Sequence, residues 1–281
     1  MTVSIKVVEK DENRVKLLIK GVHIHIVNAI RRAALEYVPT MAVDFVVFRT
    51  NTSVLHDEII AHRIGLIPLA SEEALKKYKS PEECSKEGME EDPSCYAILS
   101  LEAEAGEDEI RTVYSGELKP LTDPDVKPTS DKIPIVLLGP NQRIILEAYA
   151  RLGRGKEHIK WAPATVSVAT YVPVVKVDRD KCTDCGDCVN VCPTGALKMV
   201  NGKLQVYEDR CTLCRQCTRT CAYDAITLTH KEGEYYLMVE SSGALSPRTI
   251  LVESVKEIIK KLDTLLSEIS SIEEAVEGGA G

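Results

Sequence analysis

Eight of the ten cysteines in this 281-residue chain fall in two runs with identical spacing. The runs are Cys182, Cys185, Cys188 and Cys192, then Cys211, Cys214, Cys217 and Cys221. In each run the first three cysteines stand three positions apart, so one loop can bring three thiolates to one small volume. The fourth cysteine of such a run usually ligates the neighbouring cluster. The spacing therefore predicts two [4Fe-4S] clusters.

The crossed arrangement also predicts which thiolates share a cluster. We expect one cluster on Cys182, Cys185, Cys188 and Cys221, and the other on Cys211, Cys214, Cys217 and Cys192. Zinc is a poorer interpretation because its sites favour two well-separated cysteine pairs. A disulfide framework is typical of short secreted chains, and we expect no secretory leader here.

The residues flanking the two runs repeat as well. Residues 177–181 precede the first run and residues 206–210 precede the second, with similar composition. Gly195-Ala196-Leu197 follows the first run, and Asp224-Ala225-Ile226 follows the second. This pattern predicts a pseudo-twofold duplication, as in bacterial-type ferredoxins.

Charge and hydropathy exclude several classes of protein. The net charge is −8, whereas a protein that grips nucleic acid by itself normally carries a basic surface. The acid is concentrated in residues 71–131, and the cysteine segment 176–226 is close to neutral, unlike strongly acidic electron carriers. No apolar run approaches the roughly 20 residues that span a bilayer, so we expect no membrane segment. Cluster cysteines imply a reducing, cytoplasmic compartment.

Hydrophobic periodicity predicts the elements around the cysteines. Residues 3–19 alternate as two strands, and Val27, Ile30, Ala34 and Val38 form one face of a helix that Pro39 ends. Residues 41–49 read as a buried strand, and Glu58–Gly65 as a short helix. Residues 95–115 and 133–150 alternate like strands, and residues 119–134 carry four prolines, which predicts a loop.

A strand over residues 234–240 precedes a long C-terminal helix that begins at Ser246-Pro247. Its apolar residues recur at alternating steps of four and three, which is a heptad pattern. They are Leu251, Val255, Ile258, Leu262, Leu265 and Ile269. Packing along a partner helix and packing on the chain's own sheet both fit this pattern.

The terminal strands and helices could form one α+β domain that is split by the residues between them. The cysteine segment 176–226, called the cysteine module below, would then be an insertion. No Gly-rich phosphate loop, nucleophile elbow or dinucleotide fingerprint is present. The sequence therefore predicts no catalytic site.

Several ordered segments resemble the α-type subunits of RNA polymerase, a family that includes bacterial α, the eukaryotic third-largest subunit and their archaeal counterpart. They are residues 25–42, residues 51–69, residues 158–163 and residues 236–243. The resemblance implies a split dimerisation domain (1–40 and 227–270), an inserted mixed α/β domain (41–172), a ferredoxin-like domain (173–226) and a flexible tail (271–281).

The resemblance also implies partners. The heptad residues would face the smaller subunit L, and small subunits N and P would join the pair. The first helix, with Asn28, Arg31 and Arg32, would face a large catalytic subunit, since guanidinium groups suit interfaces. DNA would be met only through the complex.

Many members of this family keep four cysteines, as a zinc or disulfide arrangement, in the inserted domain. Here that region offers only Cys84 and Cys95, too few for a closed zinc site. They could form a disulfide or stay free.

We therefore expect a non-catalytic assembly subunit of RNA polymerase whose clusters are structural or redox-regulatory. The alternative is an electron-transfer protein in which a two-cluster ferredoxin is fused to a binding domain.

Overall fold

The computed structural model describes residues 2–84 and 92–278. They divide into two compact units, each formed by three stretches of chain. The first unit comprises the residues up to Val8, Lys16–Val27 and Val168–Leu237. The second comprises Glu9–Val15, Asn28–Ser167 and the residues from Met238 onward.

The described part of the chain contains both strands and helices. The strands are β1 Ser4–Lys10, β2 Arg14–Lys20, β3 Pro39–Asn51, β4 Tyr96–Glu104, β5 Arg111–Tyr114, β6 Lys119–Pro120, β7 Pro134–Leu138, β8 Arg143–Arg154, β9 Ala164–Val177, β10 Leu197–Val200, β11 Lys203–Val206 and β12 Ile226–Ser241. The helices are α1 Ile24–Glu36, α2 Asp57–Gly65, α3 Ala74–Lys77, α4 Pro81–Cys84, α5 Asp187–Asn190, α6 Gln216–Thr220 and α7 Pro247–Gly278. Three short 3-10 turns cover Ser115–Glu117, Ile159–Trp161 and Glu208–Arg210.

The second unit is built on an antiparallel sheet in the order β3-β8-β4-β6. Strand β8 is central, and its alternate side chains, including Ile144 and Leu146, are buried. Leu99 and Leu101 of β4 join them, and so does Ile60 of α2, all fully buried in one core cluster. Every second side chain of these strands and one face of α2 are buried together, and they form one apolar core.

The first unit contains the cysteine runs. Its sheet has the order β1-β2-β12-β9, and the short hairpin β10-β11 stands apart. The hairpin turns at Asn201 and Gly202, both with positive φ (49° and 74°), as a two-residue turn between antiparallel strands requires. Strand β1 forms one edge of the sheet, and all seven of its residues are exposed.

The periodicity correctly predicts most of these elements. Strands β1 and β2, helices α1 and α2, and the Ser246 cap of α7 lie where the pattern places them. The Ser246 hydroxyl accepts the N–H of Thr249 at 3.2 Å, as an N-cap should. The mixed α and β content agrees with the expected fold class, and no helix among the described residues has the length and apolarity needed to cross a membrane.

Two predicted boundaries differ from the structure. The strand expected at residues 234–240 begins at Ile226, directly after the last cysteine loop. Helix α7 runs to Gly278, so helical backbone continues into the segment expected to be a flexible tail. The expected division into five sequence segments remains a prediction. The two compact units divide the chain at other residues.

Two chain segments approach closely at Gly155, and the approach leaves no room for a side chain. A methyl group there would overlap the carbonyl oxygen of Leu35. We expect Gly155→Ala to lower the free energy of unfolding by about 1–3 kcal/mol, because backbone atoms must move apart. Urea unfolding of the full chain measures the change.

Gly65→Ala is the matched control. Its new methyl group would lie 3.6 Å from the nearest atom, the Val43 carbonyl oxygen, which is ordinary contact. This substitution in α2 should be neutral or stabilising by up to about 1 kcal/mol. Equal effects of the two substitutions would contradict the steric argument.

Candidate functional site

The eight cysteines of the two runs line two separate cavities in the first unit. One cavity is bordered by Cys182, Cys185, Cys188 and Cys221. The other is bordered by Cys192, Cys211, Cys214 and Cys217. The two cavities are of nearly equal size. These are the two crossed sets that the spacing predicts, and their role as cluster ligands remains a prediction.

Left-handed backbone positions shape both loops in the same way. Asp184 and Gly186 have positive φ in the first loop, at 52° and 87°. Leu213 and Arg215 occupy the equivalent positions of the second loop, at 59° and 63°. Left-handed residues turn the chain sharply, so successive cysteines can face one centre. The duplication thus extends to the backbone.

The cysteines are also part of the module's own small core. Cys188 and Cys217 are buried together with Leu197, Leu204 and Ile226. Few other buried apolar side chains belong to this cluster. A module with so little apolar core depends on cross-links or metal ligation for its stability.

Two long strands support the module. Strand β9 leads into the first cysteine loop, and β12 leaves the second, with the Asp178 N–H donating to the Ala225 carbonyl at 2.8 Å between them. Arg179 donates from its guanidinium to the carbonyl of Leu204 at 2.8 Å. The ends of both loops are therefore held by hydrogen bonds.

The thiols differ in their tendency to ionise. Burial, with the neighbouring thiols Cys185 and Cys182, raises the pKa of Cys188 to about 11, and burial likewise raises the pKa of Cys217. Burial alone would raise the pKa of Cys192 too. There, however, the N–H groups of residues 197, 194 and 196 and the Thr194 hydroxyl outweigh burial and lower the pKa.

These features fit an iron–sulfur cofactor. Four thiols surround each cavity, and hydrogen-bond donors reach the crossing sulfurs, such as the Ala225 N–H at 3.3 Å from Cys221 Sγ. Binding iron would displace the thiol protons, since only the thiolate is a ligand.

Helix α7 carries the heptad residues in the second unit. Leu251 and Ile258 are half-buried near its beginning, where Ile250 and Ser254 are fully buried. The other heptad residues are 40–55 % exposed, a large fraction for apolar side chains: Val255, Leu262, Leu265 and Ile269. Residues 261–271 are all exposed. The start of the helix therefore packs within the second unit, and packing of its exposed part along a partner helix remains a prediction.

The polar residues of α1 have partners within the helix. The Arg31 guanidinium donates to the Asn28 side-chain oxygen at 2.7 Å, and Arg32 pairs with Glu36 at 3.3 Å. Asn28 and Arg32 are exposed and Arg31 is half-buried. Exposed pairs of this kind are weak, so they leave the guanidinium groups free to exchange partners.

The structure joins Cys84 and Cys95 in a disulfide, with the sulfur atoms 2.07 Å apart. Sequence alone left this pair open. The disulfide fixes the end of α4, whose Glu82 accepts from Arg154 at 2.7 Å. Cys84 and Cys95 lie in the second unit, apart from the cysteine loops of the first.

Arg154 is a residue that sequence reasoning missed. It is 9 % exposed, pairs with Glu82 and with Glu257 of α7, and donates to the Tyr37 carbonyl oxygen. No local pattern could reveal it, because its partners are far apart in the chain. It links α7 to α4 and to the end of α1 within the second unit.

Family models match the chain in two adjoining segments. One is described as the RNA polymerase Rpb3/RpoA insert domain and matches residues 46–174. The other is described as a 4Fe-4S binding domain and matches residues 174–197, which include the first cysteine run.

Relatives match over nearly the whole chain. The chain is 42 % identical to the DNA-directed RNA polymerase subunit Rpo3 of Aeropyrum pernix over 277 residues, 96 % of each chain. It is 37 % identical to the subunit of the same name from Methanothermobacter thermautotrophicus, over 92 % of this chain and 96 % of the relative. The Pyrococcus furiosus Rpo3 is 44 % identical over a shorter span, 61 % of this chain and 60 % of the relative.

The Arg154 contacts predict unequal roles for its two carboxylate partners. The Glu257 side chain is 14 % exposed and the Glu82 side chain 57 %. Glu257→Gln should destabilise the chain by about 2 kcal/mol, because it leaves a buried guanidinium without its buried counter-charge. Glu82→Gln should cost less than about 1 kcal/mol, as for exposed pairs. Thermal unfolding compares them, and an equal or larger loss for Glu82→Gln would contradict this ranking.

Proposed function

Because the chain belongs to the Rpo3 family of archaeal DNA-directed RNA polymerase subunits, we propose that it acts as a non-catalytic scaffold on which other subunits assemble. The complex it belongs to is a nucleotidyltransferase, and nucleotide addition would occur in the large subunits. The observation that carries this proposal is the exposed apolar face of α7. A continuous row of exposed apolar side chains along one helix is typical of a protein interface.

The partner on α7 would be the smaller subunit L. Heptad spacing suits a second helix lying along the first, with each apolar side chain inserted between residues of the partner. Arg154 and its carboxylate partners hold the first turns of α7, so the exposed turns meet the partner already helical. A preformed helix avoids the entropy cost of ordering on binding.

Helix α1 would meet a large catalytic subunit. Asn28, Arg31 and Arg32 offer hydrogen-bond donors that can leave their weak partners within the helix for carboxylates or carbonyl groups across an interface. Small subunits N and P would complete the platform, DNA would be met only through the complex, and the assembly would work in the cytoplasm.

The first unit would hold two [4Fe-4S] clusters in a ferredoxin-like insertion. The two crossed sets of four cysteines support this number, as does the repetition of the loop backbone. When bound, the clusters would supply the cross-links that a module with little apolar core lacks. Because each cluster would draw ligands from both runs, losing one ligand set would loosen both loops.

Charged residues placed on the exposed face of α7 should prevent pairing with subunit L. The double variant Leu262→Asp/Leu265→Asp replaces two side chains that are 54 % and 55 % exposed in the free chain. Losing two buried leucines costs about 3–6 kcal/mol, so the dissociation constant should rise more than about 100-fold. Titration calorimetry or co-purification with subunit L measures this.

The control is Thr264→Asp/Ser267→Asp, which adds the same charges to exposed positions of α7 outside the heptad set. Both double variants should keep the thermal stability of the free chain. Undiminished pairing of the leucine variant with L would refute the assigned interface.

Removing one exposed ligand should cost the chain a cluster and hinder polymerase assembly. Cys185→Ser should lower bound iron from about eight atoms per chain to about four or fewer. The yield of whole polymerase should fall more than pairing with L, since the heptad face lies outside the cysteine module. Cys84→Ser is the control and should leave the iron content unchanged. Normal polymerase assembly without clusters would exclude an assembly role for them.

A further inference from the structure

The two cysteine loops share a backbone but carry opposite charges. The first loop, residues 183–190, contains Asp184 and Asp187 and no basic residue. The second loop, residues 212–219, contains Arg215 and Arg219 and no acidic residue. Positive φ recurs at equivalent positions of both loops, so the two backbones correspond, although the charged residues stand at different positions of them.

The charged side chains lie where they can act on the cavities. Asp184 and Asp187 border the cavity of Cys182, and Arg215 borders the cavity of Cys211. Arg215, Arg219 and Asp187 are exposed and make no ion pair within the described part of the chain. Asp184 is partly compensated by Arg179, 3.6 Å away.

The residues just before each loop carry a net charge opposite to that of the loop, but they do not cancel the charge difference between the two loops. Arg179 precedes the first loop and Glu208 precedes the second at the equivalent position. Counting these flanks, residues 179–190 keep a net negative charge and residues 208–219 a net positive one.

Hydrogen bonding to the crossing cysteines adds to the same asymmetry. The Thr194 hydroxyl lies 3.8 Å from Cys192 Sγ, and three backbone N–H groups also serve that sulfur. The equivalent of Thr194 beside Cys221 is Tyr223, which has no hydroxyl at its β-carbon. Donors to a cluster sulfur and nearby positive charge both favour the reduced form, which carries one more negative charge.

We infer that the two cluster sites are electronically unequal, and that the site of Cys192, Cys211, Cys214 and Cys217 accepts an electron first. Each reduction adds one electron to one cluster, moves no proton and breaks no bond to cysteine. The electron comes from an external one-electron donor. Arg215 and Thr194, which both line this cavity, stabilise it at this site, whereas Asp187 opposes reduction at the other. This inference deepens the proposed function and rests on it, because it requires both clusters.

The test is a potentiometric titration of the full chain in complex with L, with dithionite as reductant and electron paramagnetic resonance as readout. Wild type should show two one-electron steps. Arg215→Gln should lower the potential of the first step and leave the second in place. Asp187→Asn should raise the second step and leave the first. Lys132→Gln, the same loss of positive charge on an exposed residue of the second unit, should move neither.

Thr194→Val provides a test without any change of charge, and it should lower the first step alone. A single unresolved two-electron step, shifts of both steps together, or the opposite assignment of steps to variants would overturn the inference. Iron and sulfide analysis of the same samples shows whether both clusters are present, independently of whether their potentials differ. Fewer than about eight iron atoms per wild-type chain would instead refute the proposed cofactor.

Discussion

The first unit depends on one geometric constraint, that thiols from two separate loops must meet around each of two centres. Each cavity takes three cysteines from one loop and the fourth from the other, so neither centre is complete without both loops. This requires the strands entering and leaving the module to be neighbours, and β9 and β12 are adjacent in the sheet. The strands that flank the module therefore help to position the cysteines.

In the second unit the corresponding constraint is on α7, whose first turns are packed against the unit while its later turns are exposed. Buried Ile250 and Ser254, together with the Arg154–Glu257 pair, fix its first turns. From residue 261 to residue 271 every side chain is exposed, although the apolar heptad continues. Apolar side chains exposed along one helix favour packing against another surface. The first turns of α7 thus use the amphipathic pattern for folding, and its later turns leave the apolar residues exposed.

Sequence reasoning was strongest where chemistry fixes spacing. The cysteine spacing predicts two crossed ligand sets, and the same two groups of four line the two cavities. Three-residue steps leave a loop little choice of path, and the role of these cysteines as ligands stays a prediction. It missed the β10-β11 hairpin, although Asn201-Gly202 between two short apolar runs is a direct signal for one. The length of β12 was also missed, since Gly233 and the charged residues beside it interrupt the alternation that marks a strand. Arg154 was out of reach, because its partners Tyr37, Glu82 and Glu257 are brought together only by the tertiary fold.

The ten cysteines illustrate how local surroundings divide one functional group between two kinds of chemistry. Cys84 and Cys95 lie only 5.7 Å apart between their Cα atoms, in a compact unit that contains no other cysteine. A short loop closed in this way gains about 3 kcal/mol from the restricted unfolded chain, on the loop-entropy estimate. In the cysteine module, by contrast, every thiol has several neighbours, and a random disulfide there would remove ligands from at least one centre. Metal ligation protects such thiols by holding them as bound thiolates. The two compact units thus divide the ten cysteines, with the disulfide pair in one and the eight candidate ligands in the other.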